Sequence, residues 1–119
     1  MKKKYLLFLI LAIALSISAC GKGITYSENL PYLPLHKNMT LDTFEEPQAE
    51  GELAKATYSV TNSKFDDFLN EYEAIFHEDG WETTLDNKPN MLTVKKNEHE
   101  ATVIVYEKDG TLKAEVMSK

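Results

Sequence analysis

The feature that most limits what this chain can fold into is an apolar run directly behind a positively charged start. Met1 is followed by three lysines, and residues 5–17 then read YLLFLILAIALSI, a run of 13 residues. A membrane-spanning helix needs about 20 apolar residues, so this run is too short to span. A buried core helix is the other interpretation, but the run is apolar all round. A charged start and a short apolar run are typical of an export signal. We therefore predict a signal peptide at residues 1–19.

A five-residue pattern closes the run: Ile17-Ser18-Ala19-Cys20-Gly21. It resembles the lipobox of bacterial lipoproteins, in which an aliphatic residue and two small residues precede the cysteine that is lipidated. The resemblance implies cleavage before Cys20, a diacylglyceryl group on its sulfur, and a second acylation, with palmitate for example, of the freed amine. Two or more acyl chains anchor a protein stably, whereas one holds it only marginally. We expect a lipoprotein on the extracytoplasmic face of the cell membrane, anchored through Cys20.

Cys20 is the only cysteine, so no structural disulfide can form. A lone cysteine is otherwise a small buried hydrophobe. Its position directly after the predicted signal peptide favours lipidation instead.

The charge of the chain after residue 19 limits its partners. It holds all 19 acids and 13 − 3 = 10 lysines, a formal charge of −9, and it contains no arginine. A domain this acidic repels the phosphates of nucleic acids, and arginine is the residue that best reads them. We therefore predict no nucleic-acid partner, and the same repulsion disfavours anionic lipid headgroups.

The chain from Cys20 onward divides into three parts. Residues 20–29 (CGKGITYSEN) are polar and predict a lipidated, flexible tether. Residues 30–51 predict an extended or irregular segment packed on the domain. Its residues 30–35 (LPYLPL) carry too many large apolar groups for a solvated linker, so they either cover the core or dock a partner. Residues 52–119 predict the folded α+β domain.

A strand and an amphipathic helix open this domain. Residues 52–61 (ELAKATYSVT) alternate between apolar and polar, the period of a half-buried strand. Apolar side chains then recur at helical spacing along one stripe: Phe65, Phe68, Leu69, Tyr72, Ile75 and Phe76. We expect Asn62 and Ser63 to cap the helix. Gly80 should end it in the left-handed conformation, with Trp81 folded back on Phe76.

Four more strands are predicted at residues 81–86, 91–96, 101–107 and 111–117. The stretches DNKPN, NEHE and KDG between them are turn-like, and Asp109-Gly110 is typical of a hairpin. Residues 103–106 (VIVY) are apolar on both faces, which places their strand inside the sheet. The order β-α-β-β-β-β predicts an α+β fold with one amphipathic helix packed on an antiparallel sheet of four to five strands.

Candidate catalytic or ligand-binding residues are few. His36, His77 and His99 could act as bases or metal ligands only if the fold brought them together, and no HExxH pair occurs. No serine has the context of a nucleophile elbow, and no glycine-rich phosphate loop occurs. Trp81, Tyr58 and Tyr72 could stack on a ligand, although helix-end packing and the core explain them better. We predict no catalytic residue, no cofactor and no metal, which leaves Cys20 as the one site residue.

Residues 52–119 resemble the mature domain of small uncharacterised lipoproteins of low-GC Gram-positive bacteria. The resemblance rests on Tyr58-Ser59-Val60, on Tyr72-Glu73 in the helix, and on Asp79-Gly80-Trp81 at its end. It implies a fold and no activity. The layout is also similar to cystatin-like domains, although their Gln-Val-Val-Ala-Gly inhibitory loop is absent. We expect a non-catalytic binding or accessory module of unknown ligand, with a possible protein partner at the membrane surface. An inhibitor or immunity-type envelope protein is the alternative, and a hydrolase is a weaker one.

Replacing the anchor cysteine tests this interpretation. We expect Cys20→Ala to leave an uncleaved or released protein, because the thiol that accepts the lipid is gone. Mass spectrometry of the mature N-terminus checks this outcome. A native mature form that starts at any residue other than Cys20 would contradict the lipobox assignment.

Overall fold

A computed structural model describes residues 23–119. The predicted signal peptide and Cys20 lie outside the described residues, so both stay predictions. Within residues 23–119, one α-helix and eight strands follow in chain order: β1 (Thr25–Tyr26), β2 (Pro34–Leu35), β3 (Met39–Glu45), β4 (Ala54–Val60), α1 (Phe65–Glu78), β5 (Glu82–Asn87), β6 (Met91–Lys96), β7 (His99–Lys108) and β8 (Thr111–Ser118). No helix among residues 23–119 is long and apolar enough to cross a membrane.

The main sheet has six antiparallel strands in the order β3-β4-β8-β7-β6-β5, and β1 pairs with β2 in a separate small sheet. The helix carries the chain from β4 to the far edge at β5. The meander β5 to β8 then returns until β8 pairs with β4 over seven residue pairs. The α+β fold, with one helix on an antiparallel sheet, is confirmed, and so is the order β-α-β-β-β-β from β4 onward. β7 lies between β8 and β6, an interior position, as its apolar sequence predicts.

The helix follows its predicted stripe, with Phe68, Leu69, Tyr72 and Phe76 buried. Its C-terminal end is a Schellman motif: Gly80 has φ +92°, the Trp81 N–H donates to the Phe76 carbonyl at 2.9 Å, and the Gly80 N–H donates to the His77 carbonyl at 3.1 Å. The Phe76 and Trp81 rings lie 5.4 Å apart, centre to centre. This prediction is confirmed.

The prediction for the start of the helix is wrong. Lys64, in an extended conformation, occupies the N-cap position and makes no side-chain capping bond. The Ser63 hydroxyl donates instead to Glu71, 3.0 Å away, and Asn62 has φ +49° in the turn before the helix. The Glu71 carboxylate, farther along the helix, therefore accepts the hydrogen bond from the hydroxyl that was expected to cap the helix N-terminus.

Two hairpin turns differ in how well the sequence indicates them. At Asp109-Gly110 both residues have positive φ and Lys108 pairs with Thr111, a two-residue hairpin as predicted. The turn between β6 and β7 is shorter than predicted. Lys96 pairs with His99 across Asn97-Glu98, so His99 belongs to the strand.

The N-terminal segment, residues 25–36, forms a second layer beside the helix. Leu30 and Leu33 belong to the buried core, and Leu33 is fully inaccessible to solvent. The buried Tyr72 hydroxyl on the helix donates to the Pro34 carbonyl at 2.8 Å, and the Ser27 N–H donates to the Leu33 carbonyl at 2.9 Å. These apolar residues therefore lie on the core.

The predicted tether is shorter than its sequence indicates, because Thr25 and Tyr26 pair with Leu35 and Pro34. Residues 25–29 consequently belong to the folded domain and are not a flexible linker. Only residues 21–24 lie between Cys20 and the first strand.

The stretch predicted as irregular or weakly extended contains a full edge strand, β3, which raises the strand count of the sheet to six. Its alternation is hard to read because a bulge at Asp42 interrupts the pairing with β4. The opposite edge strand, β5, carries a similar bulge at Thr84. Both edge strands also carry exposed acids, which are Asp42 and Glu45 on β3 and Glu82 and Asp86 on β5.

Truncating Leu33 tests whether the N-terminal segment is part of the core. We expect Leu33→Ala to lower the free energy of unfolding by about 2–5 kcal/mol, the usual cost of a buried leucine. Leu85→Ala is the matched control, because Leu85 is 44% exposed and its loss should change stability by less than about 0.5 kcal/mol. Urea unfolding followed by Trp81 fluorescence measures both. Equal effects would show that residues 30–35 do not pack as described.

Candidate functional site

A groove of about 520 Å³ lies between the N-terminal segment and the β3–β4 hairpin. Its apolar lining comes from Leu30 and Tyr32 of that segment, Phe44 of β3 and Ala54 of β4. Phe44 pairs with the buried Ala56, so it lies on the core side of the sheet, yet it is only half-buried. The groove is largely open to solvent, so it is a surface depression rather than an enclosed cavity.

The inner wall of the groove is held rigidly by Tyr32 and Ser118. The fully buried Ser118 hydroxyl donates to the Glu100 carbonyl at 2.7 Å, so the Tyr32 hydroxyl, 2.9 Å away, must be the donor to Ser118. The Tyr32 ring stacks on His99, with ring centres 3.7 Å apart and planes 12° from parallel. The Ser118 hydroxyl proton is used in the hydrogen bond to the Glu100 carbonyl, so Ser118 has a structural role. No base among the described residues lies beside it that could activate it as a nucleophile.

The outer rim of the groove is acidic. Glu46 and Glu52 line it, and Glu45 and Glu50 lie in the same hairpin. The tip of the hairpin is ordered by its own bonds, since the Gln48 N–H donates to Glu52 Oε2 at 3.0 Å. Lys119 is the one lysine that lines the groove. A ligand therefore meets an apolar floor beside a negatively charged rim.

The three histidines lie at three different places in the fold. His36 Nε2 is 2.9 Å from Glu71 Oε1 beside the helix, His77 Nε2 is 2.8 Å from Thr83 Oγ1 at the helix end, and His99 stacks on Tyr32. No group of three or more histidine, cysteine or acidic side chains that could hold a metal ion occurs within residues 23–119.

The cluster of Ser63, Glu71 and His36 contains the three residue types of a hydrolase triad in the wrong order. Both the Ser63 hydroxyl and His36 Nε2 approach the same Glu71 oxygen, at 3.0 and 2.9 Å. The Asn38 N–H donates to His36 Nδ1 at 3.1 Å, so the ring proton is on Nε2. In acyl-transfer triads the histidine lies between the nucleophile and the acid. Here the carboxylate lies between them, so His36 cannot take the Ser63 proton.

His77 belongs to a chain of polar contacts that joins the helix to β5. The Thr83 hydroxyl donates to Glu73 Oε2 at 2.6 Å, so it accepts from His77. Lys88 donates to Glu73 and to Asp86, at 2.5 and 2.9 Å. Every polar group in this network of contacts has a partner, and the network holds the helix against the edge strand β5.

The aromatic residues that could have stacked on a ligand are buried. Tyr58, Tyr72 and Trp81 are each at most 2% exposed. Tyr72 and Phe76 stack with ring centres 4.3 Å apart, and Phe76 then meets Trp81. All three belong to the hydrophobic core and offer no exposed ring face for a ligand to stack on.

Asp79, at the end of the helix, contacts three side chains, and one of these contacts attaches β1 to the helix. The Tyr26 hydroxyl donates to its Oδ1 at 2.6 Å, and the Trp81 indole N–H donates to Oδ2 at 3.1 Å. Lys96 Nζ lies 3.5 Å from Oδ2. The hydrogen bond to Asp79 raises the pKa of the Tyr26 hydroxyl, because ionisation would break the bond and place two negative charges together.

No protein-family model matches this chain, and neither the curated proteins nor the solved structures that were searched contain a match. The geometry of the groove is therefore the observation from which a function can be argued. Sequence reasoning missed this site. Its one signal was the run of acids at 45, 46, 50 and 52 beside Phe44, which reads equally well as a solvated loop.

The bond between Tyr26 and Asp79 should make stability depend on alkaline pH. Because the folded-state pKa of Tyr26 lies above that of the unfolded chain, its contribution is complete below about pH 10 and is lost as the pH rises through the folded-state value. We expect Tyr26→Phe to cost about 0.5–1 kcal/mol at pH 8, a value reduced for an accessible contact, and less at pH 11.

Urea unfolding at the two pH values measures this difference. Tyr106→Phe is the control, since the Tyr106 hydroxyl makes no hydrogen bond within the described residues. A cost of Tyr26→Phe that is the same at pH 8 and pH 11 would contradict the assignment.

Proposed function

We propose that this protein is a lipid-anchored, extracytoplasmic binding module without catalytic activity, and that its ligand occupies the groove. The observation that carries the proposal is the groove itself, an open depression of about 520 Å³ with apolar residues on its floor, a fixed inner wall and an acidic rim. Binding sites typically combine an apolar lining with a few placed polar groups.

The anchor is supported by the sequence pattern ending in Cys20 and by the short distance from it to the fold. Thr25 begins β1, five residues after Cys20. An extended chain covers at most about 3.6 Å per residue, so five residues reach no more than about 18 Å. On this proposal the domain stays next to the bilayer, and its partners are molecules of the membrane surface.

The absence of catalysis is proposed from the positions of the candidate side chains. Each histidine is engaged in a separate structural contact, and Ser63, Glu71 and His36 are in an order that cannot activate the hydroxyl. The groove itself is lined by Glu46 and Glu52 on its rim, and no histidine lines it. Binding is the activity that these residues can support.

Site-specific photocrosslinking in intact cells tests the proposal. We expect Phe44→benzoylphenylalanine to form a discrete adduct with an envelope molecule, because this ring position faces the groove. The matched control is Leu85→benzoylphenylalanine, an exposed apolar position on the opposite edge strand. Adducts are detected by gel shift and identified by mass spectrometry in the membrane fraction.

Two results would overturn the proposal. The first is an equal adduct pattern at both positions, or no adduct from position 44. The second is a native protein that partitions into water rather than detergent, which would remove the anchor.

A further inference from the structure

We infer that the groove binds a cationic peptide segment in which apolar side chains alternate with lysine or arginine. This inference rests on the proposed function, since it names the class of ligand that the groove takes. It is carried by two properties of the same site: apolar lining residues that an apolar side chain can contact, and rim glutamates that form no salt bridge with a lysine within residues 23–119.

The floor of the groove fits an apolar side chain rather than a charged one. Leu30, Tyr32, Phe44 and Ala54 supply the lining, and the nearby Ser118 hydroxyl is already satisfied by Tyr32 and Glu100. No buried side-chain polar atom among residues 23–119 lacks a hydrogen-bond partner. The floor therefore offers contact with apolar groups and no free buried donor for an anion.

The rim supplies the charge. Within residues 23–119, the salt bridges of the lysines involve Glu45 but not Glu46, Glu50 or Glu52. All three of these glutamates are exposed. Lys55, the nearest lysine in sequence to the hairpin, lies 3.0 Å from Glu115 and 3.9 Å from Glu45, so its charge is used elsewhere.

The charge of the whole chain acts in the same direction. With a formal charge of −9 after residue 19, the domain repels acidic partners and attracts basic ones before contact. Glu46 and Glu52 stand on one side of the groove, so cationic side chains that flank a buried apolar one can reach them without leaving water. In an extended peptide of alternating lysine and leucine, the leucines share one face and can enter the groove, while the lysines stay in water and their long flexible stems can bend toward the glutamates.

Fluorescence anisotropy with defined peptides tests the inference on the full-length protein, purified from cells in a non-ionic detergent. The probe is a labelled seven-residue peptide of alternating lysine and leucine. The matched peptides replace leucine by glycine, or lysine by glutamate. We expect the lysine–leucine probe to bind, with an affinity that falls as salt is raised, and both matched peptides to bind more weakly.

A pair of double variants locates the binding. Glu46→Gln with Glu52→Gln removes two rim charges, and we expect the lysine–leucine probe to bind about two- to thirtyfold more weakly. Glu82→Gln with Glu107→Gln removes the same net charge from exposed positions outside the groove. We expect this control pair to change affinity by less than about twofold. The charges at positions 82 and 107 lie outside the groove, so salt largely screens their attraction for a peptide bound there.

The inference is overturned if both double variants weaken binding equally, since the attraction would then be diffuse. It is also overturned if the lysine–glycine peptide binds as tightly as the lysine–leucine peptide, or if no peptide binds. A discrete crosslink from position 44 together with any of these results would reject the ligand class and leave the binding module standing.

Discussion

The structure depends on the mismatch in width between one helix and six strands. Six strands spaced about 4.8 Å apart make a sheet roughly 24 Å wide, whereas a helix with its side chains is about 10 Å across. The contacts between the helix and the sheet are concentrated on β5, β6 and β7, so the other half of the sheet needs a second cover. The N-terminal segment supplies it, with Leu33 at 0% exposure. This requirement explains why four large apolar residues lie in the segment that precedes the main sheet.

The same constraint produces the groove. The N-terminal segment lies beside Met39 and Leu41 of the outermost strand but leaves Phe44, farther along that strand, half-buried. The hairpin between β3 and β4 then rises beside this gap and places its glutamates along the open side. The proposed binding surface is thus a part of the sheet that neither cover fully closes, and its lining begins at Asn29, nine residues after Cys20.

The sequence predicted the elements whose signals are local. The helix stripe, the Gly80 ending and the Asp109-Gly110 hairpin depend on spacing or on a backbone conformation that few residues adopt, and all three are confirmed. The prediction from sequence failed where the local structure depends on a contact with a residue farther along the chain. Ser63 bonds to Glu71 rather than to the helix start, and Thr25 and Tyr26 become a strand only because residues 34 and 35 lie beside them.

The groove could not be predicted for a related reason. It is the space left between three parts of the chain that are far apart in sequence, namely residues 29–32, the β3–β4 hairpin and the end of β8. No single one of them has a ligand-binding pattern. The bulge at Asp42 also made β3 difficult to predict, because it interrupts the alternation of apolar and polar residues by which a strand is recognised.

The two bulged, acidic edge strands have a consequence for crowding. A protein tethered to a surface meets its own copies at a far higher local concentration than in free solution, and open sheet edges are where such copies join into larger assemblies. At β3 and β5 an approaching copy meets a backbone bent by a bulge and charged side chains instead of a flat apolar edge. If Cys20 carries the proposed anchor, copies of the domain would meet at bulged, charged edges rather than at flat edges open to pairing.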